Sequence, residues 1–349
     1  MPTTTLKLGN VEITRVVEFS ELSPMTTDVF FPGSEPEEWQ RHAALLDPDH
    51  WEPSTDLTRV ATQSWVLRSE GRVVVIDTGA GNGKYRPLQP IWSYLDTGYL
   101  ANLAAAGVRP EDVDLVVNTH LHDDHVGWNT RLDGRDWVPT FPNATYLMPA
   151  TEVTYWHPDN LHRTRFGRGN QNVFEDSVQP VIDAGLVTTW EDSYVIDGNL
   201  RLAPAPGHTP GSSVIHLESG CDRAVFAGDL LHGAIQVHEP HLNSCFEEDE
   251  AGARASRARM FAYAADHNAL VFPAHLPGQG AFEIRREGSG FGLAAWAPFS
   301  PDVRRRPGRD DVTRGCASRG VRRRSVAVTG TVDPRPGRGA MRRRAGCCG

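Results

Sequence analysis

The chain has 349 residues, 39% of them hydrophobic and 23% charged, with a formal net charge of −9. That length supports a sizeable buried core, and no apolar run approaches the length of a membrane-spanning helix. The charge is unevenly divided: 14 of the 35 basic residues but only four of the 44 acidic ones fall in 301–349, leaving residues 1–300 with 21 basic and 40 acidic groups. An acidic body argues against a nucleic-acid partner, because phosphate backbones are bound by basic surface. The tail, 301–349, is rich in Arg, Gly and Pro, lacks apolar periodicity and is expected to be disordered. Met1-Pro2-Thr3-Thr4-Thr5 carries neither a basic start nor an apolar stretch, so no secretory signal is expected and a cytoplasmic location follows by default. In the first 300 residues Cys221 and Cys245 make no disulfide framework and read as ordinary thiols.

In chain order, a first strand is expected over Val11 to Phe19. Residues 20–60, rich in Pro, Trp and acids, read as an insertion. Within it Ser34-Glu35-Pro36-Glu37 reads as a capping box that opens a short helix to about Leu46. Phe30 and Phe31 are its best candidates for lining a pocket. A hairpin follows, from Thr62 to Ser69 and from Arg72 to Ile76, closed by Asp77-Thr78-Gly79. A helix near Thr97 to Ala106 ends at Gly107, a left-handed cap. Strand Leu115 to Asn118 precedes the richest segment of the chain. Later strands are expected near 145–148, 187–190, 194–197, 200–204, 212–217 and 223–227. Helices are expected near 149–156, 173–184 and 248–266, and final strands near 269–272, 281–286 and 293–297. Strands in two groups with helices between and around them predict two stacked sheets with helices outside.

Thr119-His120-Leu121-His122-Asp123-Asp124-His125 places three histidines and a carboxylate immediately after an apolar strand. Imidazole nitrogens and carboxylate oxygens suit zinc and neighbouring first-row metals. Alternation at a strand end sends His120 and His122 to one side, and a turn at Asp123 brings Asp124 and His125 to the same centre. One turn can thus feed two ions. Further candidates end strand-like runs: Asp77 after Val73 to Ile76, His208 in Pro206-Gly207-His208, Asp229 after Val225 to Gly228, and His275 after Val271 to Ala274.

These elements, in this order over roughly 60–299, resemble the metallo-β-lactamase superfamily, whose pattern is an Asp after an early strand, a His-x-His-x-Asp-His turn, then a His, an Asp and a His. The resemblance implies an α/β (α+β type) fold, the αββα four-layer sandwich of two stacked mixed sheets with outer helices, spanning 1–300. It also implies a site at one sheet edge. His120, His122 and His208 would serve one divalent ion and Asp124, His125 and His275 a second, with Asp229 bridging them. The ions are most simply Zn2+, with Mn, Co and Fe equally suited to the donors. Asp77 would hold a ligand histidine by its far ring nitrogen.

The expected activity is that of a metal-dependent hydrolase using a metal-bridged hydroxide on a small lactone, ester or organophosphate-like ester. Asp124 would shuttle a proton, and His232, three residues after Asp229, would hydrogen-bond substrate or support a ligand. The segments around His120–Asn129 and Gly228–His232 resemble the branch holding acyl-homoserine lactone lactonases and methyl parathion hydrolase-like esterases. The lactonases commonly carry Tyr where His232 stands. No Cys occupies the Asp229 position, unlike common zinc β-lactamases. The alternatives are a mononuclear iron dioxygenase acting on sulfur compounds and a glyoxalase II-like thioesterase. A small molecule is the expected partner, with no nucleic acid or membrane contact for the body.

Overall fold

Side chains alternate across the strand Arg72–Ile76. Val74 and Ile76 join the core between the two sheets, and Val73 and Val75 join the core beneath the outer helices. This two-sided burial, expected of a strand covered on both faces, sets the layering of the whole molecule. The computed structural model describes residues 4–165, 170–297 and 300–301. The Arg-rich tail beyond 301 lies outside them.

The first sheet runs, edge to edge, through Val187–Trp190, Thr145–Pro149, Leu115–Val117, Arg72–Ile76, Leu57–Ser69, Val11–Thr26, Thr4–Leu8 and Ser300–Pro301, with Trp51–Glu52 paired to Leu57–Ser69. Its first four strands are parallel and the rest antiparallel. The second sheet runs through Tyr194–Val195, Leu200–Pro204, Ser213–Ser219, Asp222–Gly228, Leu270–Pro273, Phe282–Glu287 and Gly290–Trp296. Only Asp222–Gly228 and Leu270–Pro273 are parallel there. The sheets share a core in which Trp65, Ile76, Val117 and Leu147 meet Leu202, Ile215, Phe226 and Phe272. Helices Tyr99–Ala105 and Gln179–Asp183 cover the outside of the first sheet. Helix Glu250–His267 covers the second through Met260, Phe261 and Ala264. This is the expected αββα sandwich.

The insertion builds onto that second outer face. Phe31, Trp39, Leu46 and Trp51 pack with Leu231, Ile235 and Val237, as apolar residues without a partner of their own must. Its helix is shifted from the expected capping box. Pro36 opens Pro36–Arg41 as the first helical residue, and Glu38 accepts the Glu35 N–H at 3.0 Å, so the box is formed one residue later than Ser34 implied. Ser34 instead donates to the Thr27 carbonyl. Phe30 lines a cavity over the cluster described below. Phe31, also expected there, is 1% exposed and packs on Trp39. Cys245 keeps a free thiol.

Topology explains where the candidate residues meet. The parallel strands Arg72–Ile76 and Leu115–Val117 pair Ile76 with Val117, so Asp77 and the His120 turn leave the same edge. Asp222–Gly228 and Leu270–Pro273 pair Gly228 with Pro273, so Asp229 and His275 leave one edge of the other sheet. Carboxyl ends of parallel strands are where open sheets gather ligand-binding loops. Cross-sheet bonds hold the two edges together: Ser213 N–H to Thr119 O at 3.0 Å, Ala61 N–H to His275 O at 2.9 Å, and Gln63 Nε2 to Pro273 O at 3.1 Å.

Candidate metal centre

His122 caps a short helix, Asp123–Val126, so the chain leaves its extended path at the expected residue. The turn is fixed from outside by two buried carboxylates. Glu152 accepts the Leu121 N–H at 3.0 Å, the Gly211 N–H at 2.8 Å and the Trp156 indole at 2.8 Å. It thereby ties the His120–His122 segment to the His208 loop. Glu18 accepts the Ala80 N–H at 2.7 Å and the Trp128 indole at 2.7 Å, ordering the loop after Asp77. Neither carboxylate was marked by the sequence pattern.

The seven expected ligand residues converge. His120 Nε2 lies 3.0 Å from His122 Nδ1 and 3.2 Å from His208 Nε2, and the last two are 2.9 Å apart. Asp229 Oδ2 is 3.3 Å from His208 Nε2 and 3.7 Å from His120 Nε2. On the other side, His125 Nε2 is 3.2 Å from His275 Nε2, and Asp124 lies 3.5 and 3.4 Å from those two nitrogens. Asp229 Oδ1 sits 3.3 Å from His125 Nε2 and 3.2 Å from His275 Nε2. Asp229 therefore faces both groups, Oδ1 towards the second and Oδ2 towards the first, with Oδ2 also 3.2 Å from His275 Nε2.

The donor set fits two cations. Donors at tetrahedral zinc distances stand about 3.3 Å from one another, the spacing seen here. The groupings able to hold an ion include His120, His122, His208 and Asp229, and separately Asp124, His125 and His275. Asp229 Oδ1 is buried and makes no hydrogen bond although it stands 3.3 Å from His125 Nε2 and 3.2 Å from His275 Nε2, a spacing in which a cation held among the three would satisfy it.

Outer contacts aim the rings. Asp77 Oδ2 is 2.9 Å from His125 Nδ1. Thr119 Oγ1 is 3.1 Å from His120 Nδ1 and donates to Asp77 at 2.8 Å. The Ala61 carbonyl is 2.9 Å from His275 Nδ1, and Glu247 Oε2 is 3.2 Å from His208 Nδ1. Glu247 escaped sequence reasoning because nothing in Cys245-Phe246-Glu247-Glu248 signals a partner 39 residues upstream. Gly228, at φ +50, turns the chain so that Asp229 enters the cluster, and a Cβ there would stand 3.0 Å from Thr119 Oγ1.

Electrostatics divide the site. Burial pushes His120 and His122 well below the ordinary imidazole value, leaving neutral nitrogens suited to coordination. Burial also opposes charge on His125, but Asp229, Asp124 and Asp77 outweigh it and hold that ring well above the usual value. His275 is raised to about 9, Asp229 and Asp124 again overcoming burial. Burial works against the Asp229 carboxylate, yet His125, His275 and His232 hold it well below the usual range.

A cavity of about 600 Å³ opens over the cluster. His122, Asp124, His208, Asp229, His232 and His275 form its polar end, and Leu22, Met25, Phe30, Ile91, Trp92 and Phe246 form apolar walls. His232 Nε2 lies 3.2 Å from Asp229 Oδ2, and its Nδ1 is buried without a partner.

Residues 57–275 match the family model described as the metallo-beta-lactamase superfamily. The chain is 32% identical over 192 residues to the N-acyl homoserine lactonase AttM of Rhizobium radiobacter, covering 53% of this chain and 67% of that protein. It is 32% identical over 120 residues to the AttM lactonase of Azorhizobium caulinodans, spanning only 40% of that protein. Among solved structures, the dizinc quorum-quenching lactonase AidC superposes with a TM-score of 0.71 at 20% identity, covering 86% of this chain and 99% of that one. The hydrolase AbOPH superposes with a TM-score of 0.70 at 21% identity, covering 84% and 97%. At these identities the structural likeness speaks for the fold. No helix among the described residues is long and apolar enough to cross a membrane.

Proposed function

The chain belongs to the metallo-β-lactamase superfamily, and from that premise we propose that it is a dinuclear metallohydrolase that opens small lactones, with carboxylic and organophosphate-like esters as further substrates. The observation that carries this reading is the bipartite cluster of six side chains around Asp229, whose buried Oδ1 makes no hydrogen bond. His120, His122 and His208 would hold one divalent ion and Asp124, His125 and His275 the other, with Asp229 between them. Zinc is the ion we assign, as the donors suit it. Such a pair, when bound, supplies an acidified water and polarises the substrate oxygen.

The chain's own residues do the rest. The apolar walls from Phe30, Ile91, Trp92 and Phe246 exclude water and accept an acyl or alkyl group, as pockets of this composition do. Asp124 lines the cavity and is placed to carry a proton to the leaving oxygen. His232 would hydrogen-bond the substrate through Nδ1. The names of the lactonase relatives favour lactones over the other esters. We assign catalysis to residues 1–300, in the cytoplasm, and deletion of residues 301–349 is expected to leave turnover nearly intact.

The test is metal content by mass spectrometry, paired with turnover of aliphatic lactones, nitrophenyl esters, a phosphotriester and a cephalosporin. Two divalent ions per chain and lactone opening are expected, both activity and one ion being lost in His122→Ala and activity in Asp229→Ala. One iron with oxygen uptake, or turnover surviving both substitutions, would overturn the reading.

A further inference from the structure

Glu247 is fully buried, and a carboxylate without water needs compensation from nearby donors or positive charge. Its Oε2 lies 3.2 Å from His208 Nδ1. Its Oε1 receives the Ser244 hydroxyl at 3.3 Å and stands 4.0 Å from Arg257 Nη1. Arg257 is engaged elsewhere, donating to the carbonyls of Leu230 at 2.9 Å and Leu242 at 2.7 Å and to Asn243 Oδ1 at 3.0 Å. The closest basic group to the carboxylate is therefore the imidazole of His208.

The main chain fixes this pair. Glu248 N–H donates to His208 O at 3.0 Å, and Asp249 N–H to Gly207 O at 2.8 Å. The two segments thus lie locked side by side, which keeps the Glu247 main chain beside His208. With Nδ1 held by the carboxylate, Nε2 is left facing His122 Nδ1 at 2.9 Å. The other two ring partners in the cluster are neutral: the Thr119 hydroxyl at His120 and the Ala61 carbonyl at His275. Asp77 at His125 is the matching carboxylate on the other side of Asp229.

We propose that Glu247 is a positioning residue for the first metal ion, fixing the His208 tautomer and strengthening its Nε2 as a donor, as Asp77 does for His125 and the second ion. Each ion then has one carboxylate-backed histidine. The inference rests on the reading of His208 as a metal ligand. It also joins the cavity wall to the centre, because Phe246 precedes Glu247 and packs edge-on against Phe30 at 5.6 Å.

The experiment compares zinc binding to the full-length protein and to Glu247→Gln, Glu247→Asp and Glu247→Ala by competition against a graded chelator. Zinc stoichiometry and the visible spectrum of the cobalt-loaded protein are read alongside. Glu247→Gln keeps shape and an acceptor oxygen, so it tests the charge even if Glu247→Ala fails to fold. The expected result is two zinc equivalents in the wild type. In Glu247→Gln one of the two is weakened about 10- to 100-fold with an altered cobalt spectrum, the other is unchanged, and Glu247→Asp is intermediate. Two equivalents bound by Glu247→Gln with wild-type affinity would overturn the inference alone, as would equal weakening of both. A wild type that binds no metal would remove the reading on which it rests.

Discussion

Asp77 Oδ2 lies 2.9 Å from His125 Nδ1 while its Oδ1 accepts the Thr119 N–H at 2.8 Å. One carboxylate therefore orients a ring on each side of the cluster, His125 directly and His120 through the Thr119 hydroxyl. Asp77 adopts φ +52, a conformation that Asn tolerates as Asp does and Ala does not. Asp77→Asn is thus the clean substitution, preserving the backbone while removing the charge. Metal affinity is expected to fall about 10- to 100-fold, read by chelator competition, with little change in folded structure by circular dichroism. Unaltered affinity would mean that Asp77 only shapes the turn.

Gly207 adopts φ +142, and a Cβ there would stand 2.0 Å from Ala253 N and 2.3 Å from Ala253 Cα, both backbone atoms. Gly207→Ala must move either the start of helix Glu250–His267 or the following His208. A destabilisation of about 1–3 kcal/mol or more is expected, with lost activity, measured by urea unfolding and turnover. Gly71→Ala is the control. Its φ is +81 with nothing within 4 Å, so it carries backbone strain alone, about 1–2 kcal/mol, and keeps its activity. Equal stability of Gly207→Ala and wild type would refute the close approach.

His50 is buried and stacked on Trp296, with ring centroids 4.9 Å apart and planes 9° from parallel. Burial chiefly lowers it from 6.5 to about 4, with Arg15 reinforcing and Asp49 opposing. Between pH 6.5 and 4 the unfolded chain binds a proton that the folded chain refuses. Stability contributed here is present above pH 6.5 and lost as pH falls, on the order of 3 kcal/mol. His50→Phe retains the stacked ring and cannot titrate, so its urea midpoint is expected to fall less between pH 6.5 and 4 than that of wild type. Parallel pH profiles would show that His50 does not carry the acid sensitivity.

What the sequence made legible follows from locality. His120, His122, Asp124 and His125 sit within six residues of each other after a buried strand, so chemistry and periodicity could be read together. Asp229 and His275 end apolar runs whose strand character was plain, and parallel pairing then forces their loops to one edge. Glu18, Glu152 and Glu247 were illegible because their partners lie 62, 31 and 39 residues away at Ala80, Leu121 and His208. A Glu whose partners are remote in sequence looks like surface until the fold closes over it. The strand Thr4–Leu8 and the hairpin Thr130–Asp133 with Asp136–Pro139 were likewise unmarked. Residues 131–136 of that hairpin are exposed, so burial imposed no alternation to read.

His232 presents the sharpest separation of roles. Its ring packs parallel to His275 at 5.6 Å and edge-on to Phe30 at 6.0 Å, and its Nε2 is 3.2 Å from Asp229 Oδ2. The other nitrogen, buried and unpartnered, belongs to a side chain lining the cavity. A buried polar atom left without a partner costs about 1–3 kcal/mol; with Nε2–H turned to the Asp229 carboxylate, a neutral ring offers Nδ1 as an acceptor, and a substrate N–H or O–H donating to it would offset that cost. His232→Phe keeps the ring contacts and removes both nitrogens. Losing that hydrogen bond, about 0.5–1.5 kcal/mol, corresponds to a fall in kcat/KM of about 2- to 10-fold. Zinc content is expected to stay at the wild-type value, because the seven side chains proposed as ligands remain. Loss of one zinc would instead make His232 a support for Asp229, and unchanged kinetics with unchanged metal would reduce it to packing.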